Sequence, residues 1–252
     1  MMATTLVSPA RLYAFESAAE IRKCWRLPQF ILPTILLPVA FYGLFAIAMG
    51  SGDGGTATYA LATFGVFAAI GPSLFGFGVG VADERAADLI ELKRVSPLPG
   101  GAYVVGKIAA SVLFTGVAVL AIYALGTLAG GVRLSAEQWL TLFAIHLLSV
   151  VPFALIGLGL GMRLTSKGAG AAANFLFLGF AVLGGLWMPI DALPDWRRAS
   201  AFITPSYYLG ELALMATGLE RANSAIVHVG ILIVMTALAS VFAVSGWRRS
   251  VV

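Results

Sequence analysis

Seven of the twelve residues from Asp83 to Arg94 are charged, in a 252-residue chain of which only 11% is charged. The run reads Asp83-Glu84-Arg85-Ala86-Ala87-Asp88-Leu89-Ile90-Glu91-Leu92-Lys93-Arg94, and long apolar stretches lie on either side of it. One ionised side chain near the middle of a bilayer costs about 2.5–3.5 kcal/mol on insertion scales, so seven in one segment cannot rest there. The run has to stand outside hydrocarbon, between two segments that stand inside it. That setting suits a docking surface for another protein.

The flanking stretches fix the class. Mean hydropathy is +0.93 and 60% of residues are hydrophobic, far above a soluble domain of this length. Several stretches exceed the ~20 residues needed to cross ~30 Å of hydrocarbon. They are continuously apolar, without the alternation of a β-barrel strand. An all-α polytopic membrane protein follows, a single transmembrane domain with six spans expected at about 30–50, 57–82, 102–129, 139–162, 171–188 and 225–246. One cysteine, Cys24, leaves no intrachain disulfide framework and no cysteine-rich metal site. Residues 1–29 lack a continuous apolar core, so no cleavable signal peptide is expected there.

Lys and Arg set the orientation. Twelve fall at the N-terminus, in the 83–107 elbow, in the fourth-to-fifth connection and at the C-terminus. Four, Arg133, Arg197, Arg198 and Arg221, fall on the other side. The positive-inside rule then places both termini and the elbow in the cytoplasm of a multi-pass cell-membrane protein. The same rule accounts for the net charge of +4 without nucleic acid.

Three short segments depart from the six-span plan. Residues 8–26 open with Ser8-Pro9, an N-cap and N1 proline, and place Leu12, Phe15, Ala19 and Trp25 on one face, as in an interfacial amphipathic helix. Residues 83–99 form the charged cytoplasmic helix. In 189–224, Met188-Pro189 through Trp196 is turn-rich, and Thr204-Pro205 starts an apolar helix too short to span. A re-entrant helix on the outer side fits, with Pro205 at its start, Tyr207 and Tyr208 at headgroup depth, and Glu211 one turn on. Pro33, Pro38, Pro72 and Pro152 lie inside spans and are expected to kink them. Gly76 and Gly80, Gly126 and Gly130, and Gly157 and Gly161 have the spacing that lets helices approach closely.

Catalytic chemistry finds little footing. Gly101-Ala102-Tyr103-Val104-Val105-Gly106-Lys107 imitates a phosphate loop, but Ile108 stands where a magnesium-binding hydroxyl is needed and no buried strand precedes it. Lys107 reads instead as an interfacial anchor of the third span. His146, in the fourth span, is either a proton relay or a neutral, hydrogen-bonded structural residue. Phe64, Phe67 and Phe75 of the second span, with Asn174, Phe175 and Phe177 of the fifth, are the candidate lining of an apolar pathway; the alternative is lipid-facing bulk for the phenylalanines and a hydrogen bond to a neighbouring helix for Asn174.

Four stretches together resemble the permease subunits of type-2 ABC transporters. They are Arg26-Leu27-Pro28-Gln29-Phe30 through Pro38; Glu84-Arg85 through Leu98-Pro99 followed by Tyr103-Val104-Val105-Gly106-Lys107; Gly185-Leu186-Trp187-Met188-Pro189 with Leu193-Pro194; and Thr204-Pro205-Ser206-Tyr207-Tyr208. They occur in the family's order across nearly the whole chain. One departure is Ala87-Asp88, where many members carry Gly-Thr.

The resemblance implies a half-transporter without catalytic residues or a cofactor of its own, paired with a second permease copy in a homodimer or heterodimer. ATP and magnesium would be held by separate ABC ATPase subunits. The elbow would be the coupling helix, with Glu84, Arg85, Asp88, Leu89, Glu91, Leu92 and Arg94 as its contacts. Nearly uncharged spans suit a hydrophobic or amphipathic cargo such as a drug, an antibiotic or a lipid-like molecule. A lipid-linked glycan, an ATPase-independent channel or ion-coupled carrier, and a non-transporting scaffold subunit are the alternatives.

Overall fold

Proline, glycine and caps decide where these apolar helices begin, bend and stop. The computed structural model describes residues 8–50, 54–190, 199–219 and 224–249. Helix α1 spans Pro9–Trp25 and α2 spans Pro28–Tyr42, each with a proline in its first turn, where the missing N–H has no helical partner to lose. Helix α2 continues through a π-helical turn, Gly43–Ala48. Helix α3, Gly54–Leu74, passes through a second π turn, Phe75–Val79, into α4, Gly80–Ala86. Each π turn follows a proline, Pro38 or Pro72, whose ring cannot donate into the ladder and loosens it locally.

Helix α5 is short, Leu89–Val95, and α6 runs Gly100–Leu128. Helices α7, Ala136–Leu148, and α8, Val150–Gly161, are one span broken at Ser149. Pro152 explains the break, because it cannot donate to the Leu148 carbonyl four residues back. Ser135 and Gln138 close a capping box at the start of α7. Helix α9 is Ser166–Leu183, α10 is Pro205–Ala216 and α11 is Ala225–Arg249.

Among the described residues, six units are long and apolar enough to cross a membrane: Pro28–Ala48, Gly54–Ala86, Gly101–Leu128, Ala136–Gly161, Ser166–Leu183 and Ala225–Arg248. Every span expected from sequence has its counterpart. The second is the axis of the bundle, with every residue from 60 to 74 buried. Helices α2, α6, α8 and α10 pack around it. The last, α11, lies at the periphery, with Ile226, Ile233, Leu238 and Val241 exposed as in a helix solvated by lipid.

One expectation changes. The charged segment is not one helix over 83–99. Asp83 to Ala86 complete the second span's helix, Asp88 turns the chain with a left-handed φ of 56°, and α5 covers only Leu89–Val95. A left-handed residue cannot sit inside a right-handed helix, so the break is obligatory.

The first helix packs along the third span. It runs beside α6 in the same direction: Tyr13 lies at Gly101, Glu16 at Gly106, Glu20 at Lys107 and Trp25 at Phe114. Phe15 and Trp25 of its apolar face point outward, while Glu20 and Cys24 are buried against the bundle.

Candidate functional site

The second-span helix of 33 residues is ~50 Å long, against ~30 Å of hydrocarbon, so its charged last turns project beyond the apolar layer. At that end Glu84 is only 7% exposed. Its Oε2 accepts from the Tyr103 hydroxyl at 2.6 Å, and its Oε1 accepts from Lys107 Nζ at 3.2 Å and from Lys23 Nζ. Lys107 also donates to Glu20 Oε1 at 2.7 Å, as does Lys23 at 2.7 Å. Two carboxylates and two ammonium groups, drawn from α1, α4 and α6, thus balance one another in a buried cluster. Such a cluster adds little net stability, but removing one of its buried members, Glu20, Glu84 or Lys107, leaves an unpaired buried charge and costs about 3–5 kcal/mol.

Burial opposes the charge on Lys23, yet the Glu84 and Glu20 carboxylates outweigh it and hold this ammonium above the ordinary lysine range. Next to it, burial and then Glu20 push the Cys24 thiol up, so it stays protonated and unreactive.

Arg85 faces the opposite way. Its guanidinium donates to the carbonyls of Met162 and, at 2.6 Å, Leu164, closing the end of α8. Lys93 of α5 pairs with Glu16 of α1 and lies 4.7 Å from the Tyr103 ring centre. The adjacent acid and base at 84 and 85 therefore splay apart, one toward α1 and α6, the other toward the α8–α9 connection.

What the elbow leaves outward is apolar and acidic. Leu89, Leu92 and Val95 are 44%, 62% and 85% exposed and lie three residues apart on one face of α5, with Ile90 buried beneath. Asp83, Asp88 and Glu91 are exposed around them. Of the contacts expected from sequence, Asp88, Leu89, Glu91 and Leu92 are accessible, Glu84 and Arg85 are turned into the protein, and the Arg94 side chain lies outside the described residues. Val95 joins the face unannounced, although its spacing from Leu92 was a sufficient signal once α5 is treated as a separate helix.

A second feature runs along the face shared by α2, α3 and α9. Phe45 and Phe64 stack at 6.1 Å, Phe64 meets Phe67 edge-on at 6.0 Å, Phe67 meets Phe177 at 4.8 Å, and Phe177 meets Phe75 at 5.8 Å. Phe41 and Trp187 flank Phe67 at 6.2 and 5.7 Å. A cavity of about 240 Å³ opens toward the charged end, lined by Gln29, Phe30, Thr34, Phe75, Asn174 and Phe177 among others. A second, of about 700 Å³, lies toward the opposite end beside Phe45, Tyr59, Phe64 and Trp187. Five of the six pathway candidates, Phe64, Phe67, Phe75, Asn174 and Phe177, line this face. Phe175 does not: it is 78% exposed, on the outer side of α9. Asn174 donates to the Gly170 carbonyl of its own helix at 3.1 Å and still borders the smaller cavity.

His146 is fully buried and both ring nitrogens are engaged. Nε2 lies 2.9 Å from the Ala62 carbonyl and Nδ1 lies 3.0 Å from the Tyr123 hydroxyl. A carbonyl only accepts, so Nε2 carries a proton; in a ring this buried the neutral form is favoured, and its Nδ1 then accepts from the tyrosine. The ring is a neutral strut between α3, α6 and α7, fitted against Gly65, where any Cβ would overlap it.

At the opposite end, the chain leaves α9 through left-handed Gly185, whose carbonyl accepts from Tyr59 at 3.1 Å. Residues 191–198, which include the turn-rich exit from Asp191 to Trp196, and residues 220–223 lie outside the described residues. Pro205, Tyr207 and Tyr208 of α10 are buried and Glu211 is half-buried. The two tyrosines pack on each other at 5.0 Å and on His228 of α11 at 6.2 and 5.7 Å, rather than facing outward. Sequence reasoning passed over His228, which is buried and sits 3.0 Å through Nδ1 from the Ser224 carbonyl.

Comparison with known proteins agrees with this architecture. The family model described as ABC-2 type transporter matches residues 16–218. The chain is 25% identical over 198 residues to the putative transport permease YvfS of Bacillus subtilis (strain 168), covering 77% of this chain and 81% of that protein. A match reaching from the first helix through α10 encloses the elbow, the aromatic face and five of the six spans, and this chain belongs to the ABC-2 type transporter family.

Proposed function

We propose that the chain is the membrane-spanning subunit of an ATP-driven exporter, and that it moves a hydrophobic or amphipathic small molecule outward from the cytoplasm or inner leaflet. Its charged end and both termini are cytoplasmic. Separate ATPase subunits bind ATP and magnesium there, and a second permease copy completes the transporter. The observation that carries the reading is the exposed face of α5. A helix beyond the hydrocarbon that keeps Leu89, Leu92 and Val95 in water is waiting for a protein partner to cover them. The aromatic face supports the cargo class, since apolar cavities with a few polar groups suit an uncharged or weakly polar molecule.

The test is purification of tagged protein from its native membrane, followed by flux assays in vesicles. An ATP-hydrolysing subunit is expected to accompany the wild-type chain. Leu92→Asp and Val95→Asp are expected to insert normally while losing that subunit and ATP-dependent flux. Absence of any nucleotide-binding partner, or full association of both variants, would overturn the proposal.

A further inference from the structure

We infer that Lys107 and Lys23 are positioning residues that lock α1 onto the elbow and the third span. On this reading, motion of the docking helix reaches the smaller cavity by a second route, through α1 into α2. The inference rests on the proposed docking role of α5, and four observations carry it.

The first is the buried charge cluster. Lys107 Nζ bridges Glu20 of α1 and Glu84 of α4, and Lys23 bridges the same two carboxylates from the other side. Helix α1 cannot lift from α4 and α6 without leaving Glu84 and Lys107 buried with fewer partners. The second is the pair between Lys93 and Glu16, which ties α5 itself to α1. The third is steric. A Cβ at Gly106 would come within 3.0 Å of Glu16 Cγ and 3.2 Å of the Glu16 backbone, so α1 lies directly on α6.

The fourth is where α1 leads. Only Arg26 and Leu27 separate it from α2, and Leu27 has non-helical angles of −110° and 74°. The first turns of α2 supply Gln29, Phe30, Pro33 and Thr34 to the wall of the 240 Å³ cavity. A displacement of α5 therefore carries α1 with it and pulls on that wall at the Leu27 joint. The direct rod, α4 through α3, delivers the same displacement to Phe75 and Phe67 on the facing wall. The cavity is worked from both sides.

The experiment places spin labels at Ala18→Cys in α1 and Ala86→Cys in α4, both exposed, in a Cys24→Ser background in lipid nanodiscs. The expected distance distribution is narrow, and stays so when the ATPase subunit and a non-hydrolysable ATP analogue are added. Lys107→Met is expected to broaden it and to lower transport per ATP hydrolysed by about tenfold, with ATPase association retained. Lys107→Arg is expected to restore both. Lys23→Met, at a half-exposed position that spares folding, is expected to give a smaller change in the same direction. A narrow distribution in both Met variants, or an unchanged transport-to-hydrolysis ratio, would overturn the inference. Failure of the unmutated chain to bind an ATPase would instead defeat the docking proposal, while the distances in the chain alone still decide whether α1 is locked.

Discussion

Helices α5 and α10 are both too short to cross a membrane, at 7 and 12 residues, and both interrupt the run of six spans. Their burial is opposite. In α10, eight of the twelve residues are buried, including Pro205, Ser206, Tyr207, Tyr208 and Leu209. In α5, Leu89, Leu92 and Val95 stand outward and only Ile90 anchors the helix below. Helix α10 thus finds its partners within this chain, on α3, α7, α9 and α11. Helix α5 is held by Ile90 beneath and by the Lys93–Glu16 ion pair, with Leu89, Leu92 and Val95 left outward. A short helix that spends its apolar residues internally is architecture; one that withholds them leaves the face on which the proposed docking rests.

Substitutions can break that contrast. The largest expected effect is Leu214→Asp in α10, where a carboxylate enters a site that is 1% exposed. A loss exceeding about 4 kcal/mol is expected, seen as failure to recover monodisperse protein in detergent. Normal recovery would mean that α10 is not integral to the bundle. Next is Asp88→Val at the elbow. Forcing a β-branched residue to φ 56° is expected to cost about 1–2 kcal/mol in thermal unfolding, whereas Asp88→Gly is expected to be neutral or stabilising. Equal melting of the two variants would refute a left-handed turn at that position.

Smaller again is Ser206→Ala, which deletes a 2.9 Å bond from the Ser206 hydroxyl to the Phe180 carbonyl at the α10–α9 contact. A loss of about 1 kcal/mol is expected, and none would indicate that the carbonyl is already satisfied within α9. The smallest is Leu92→Asp in α5, which should shift the melting of the isolated chain by no more than about 0.5 kcal/mol. A large destabilisation there would erase the difference between the two helices, because it would make the α5 face part of the internal packing.

Glu84 shows where reading residues in order runs out. In sequence it belongs to a polar run with Asp83, Arg85, Asp88 and Glu91, and nothing local separates those that face outward from those that face into the protein. The separation comes from Lys23, Lys107 and Tyr103, which lie up to 61 positions away along the chain. Phe175 and Phe177 make the same point on α9. Two residues on a helix are nearly opposite in direction, so one borders a cavity and the other stands clear of the bundle, yet both are phenylalanine two places apart.

The sequence by itself determined the six spans, their order, the position of the charged interruption and the short helix that begins at Pro205. Each follows from local quantities: the length of an apolar run, the cost of charge in lipid, and the behaviour of proline at a helix start. Only the tertiary structure decided that α1 follows α6, that Glu84 and Arg85 turn in opposite directions, that His146 is a neutral strut, and that the aromatic rings of α2, α3 and α9 form one row. Those are matters of which helix stands beside which. Pairing among apolar helices is set by close packing and by partners for buried polar groups, and neither is written in the periodicity of any one segment.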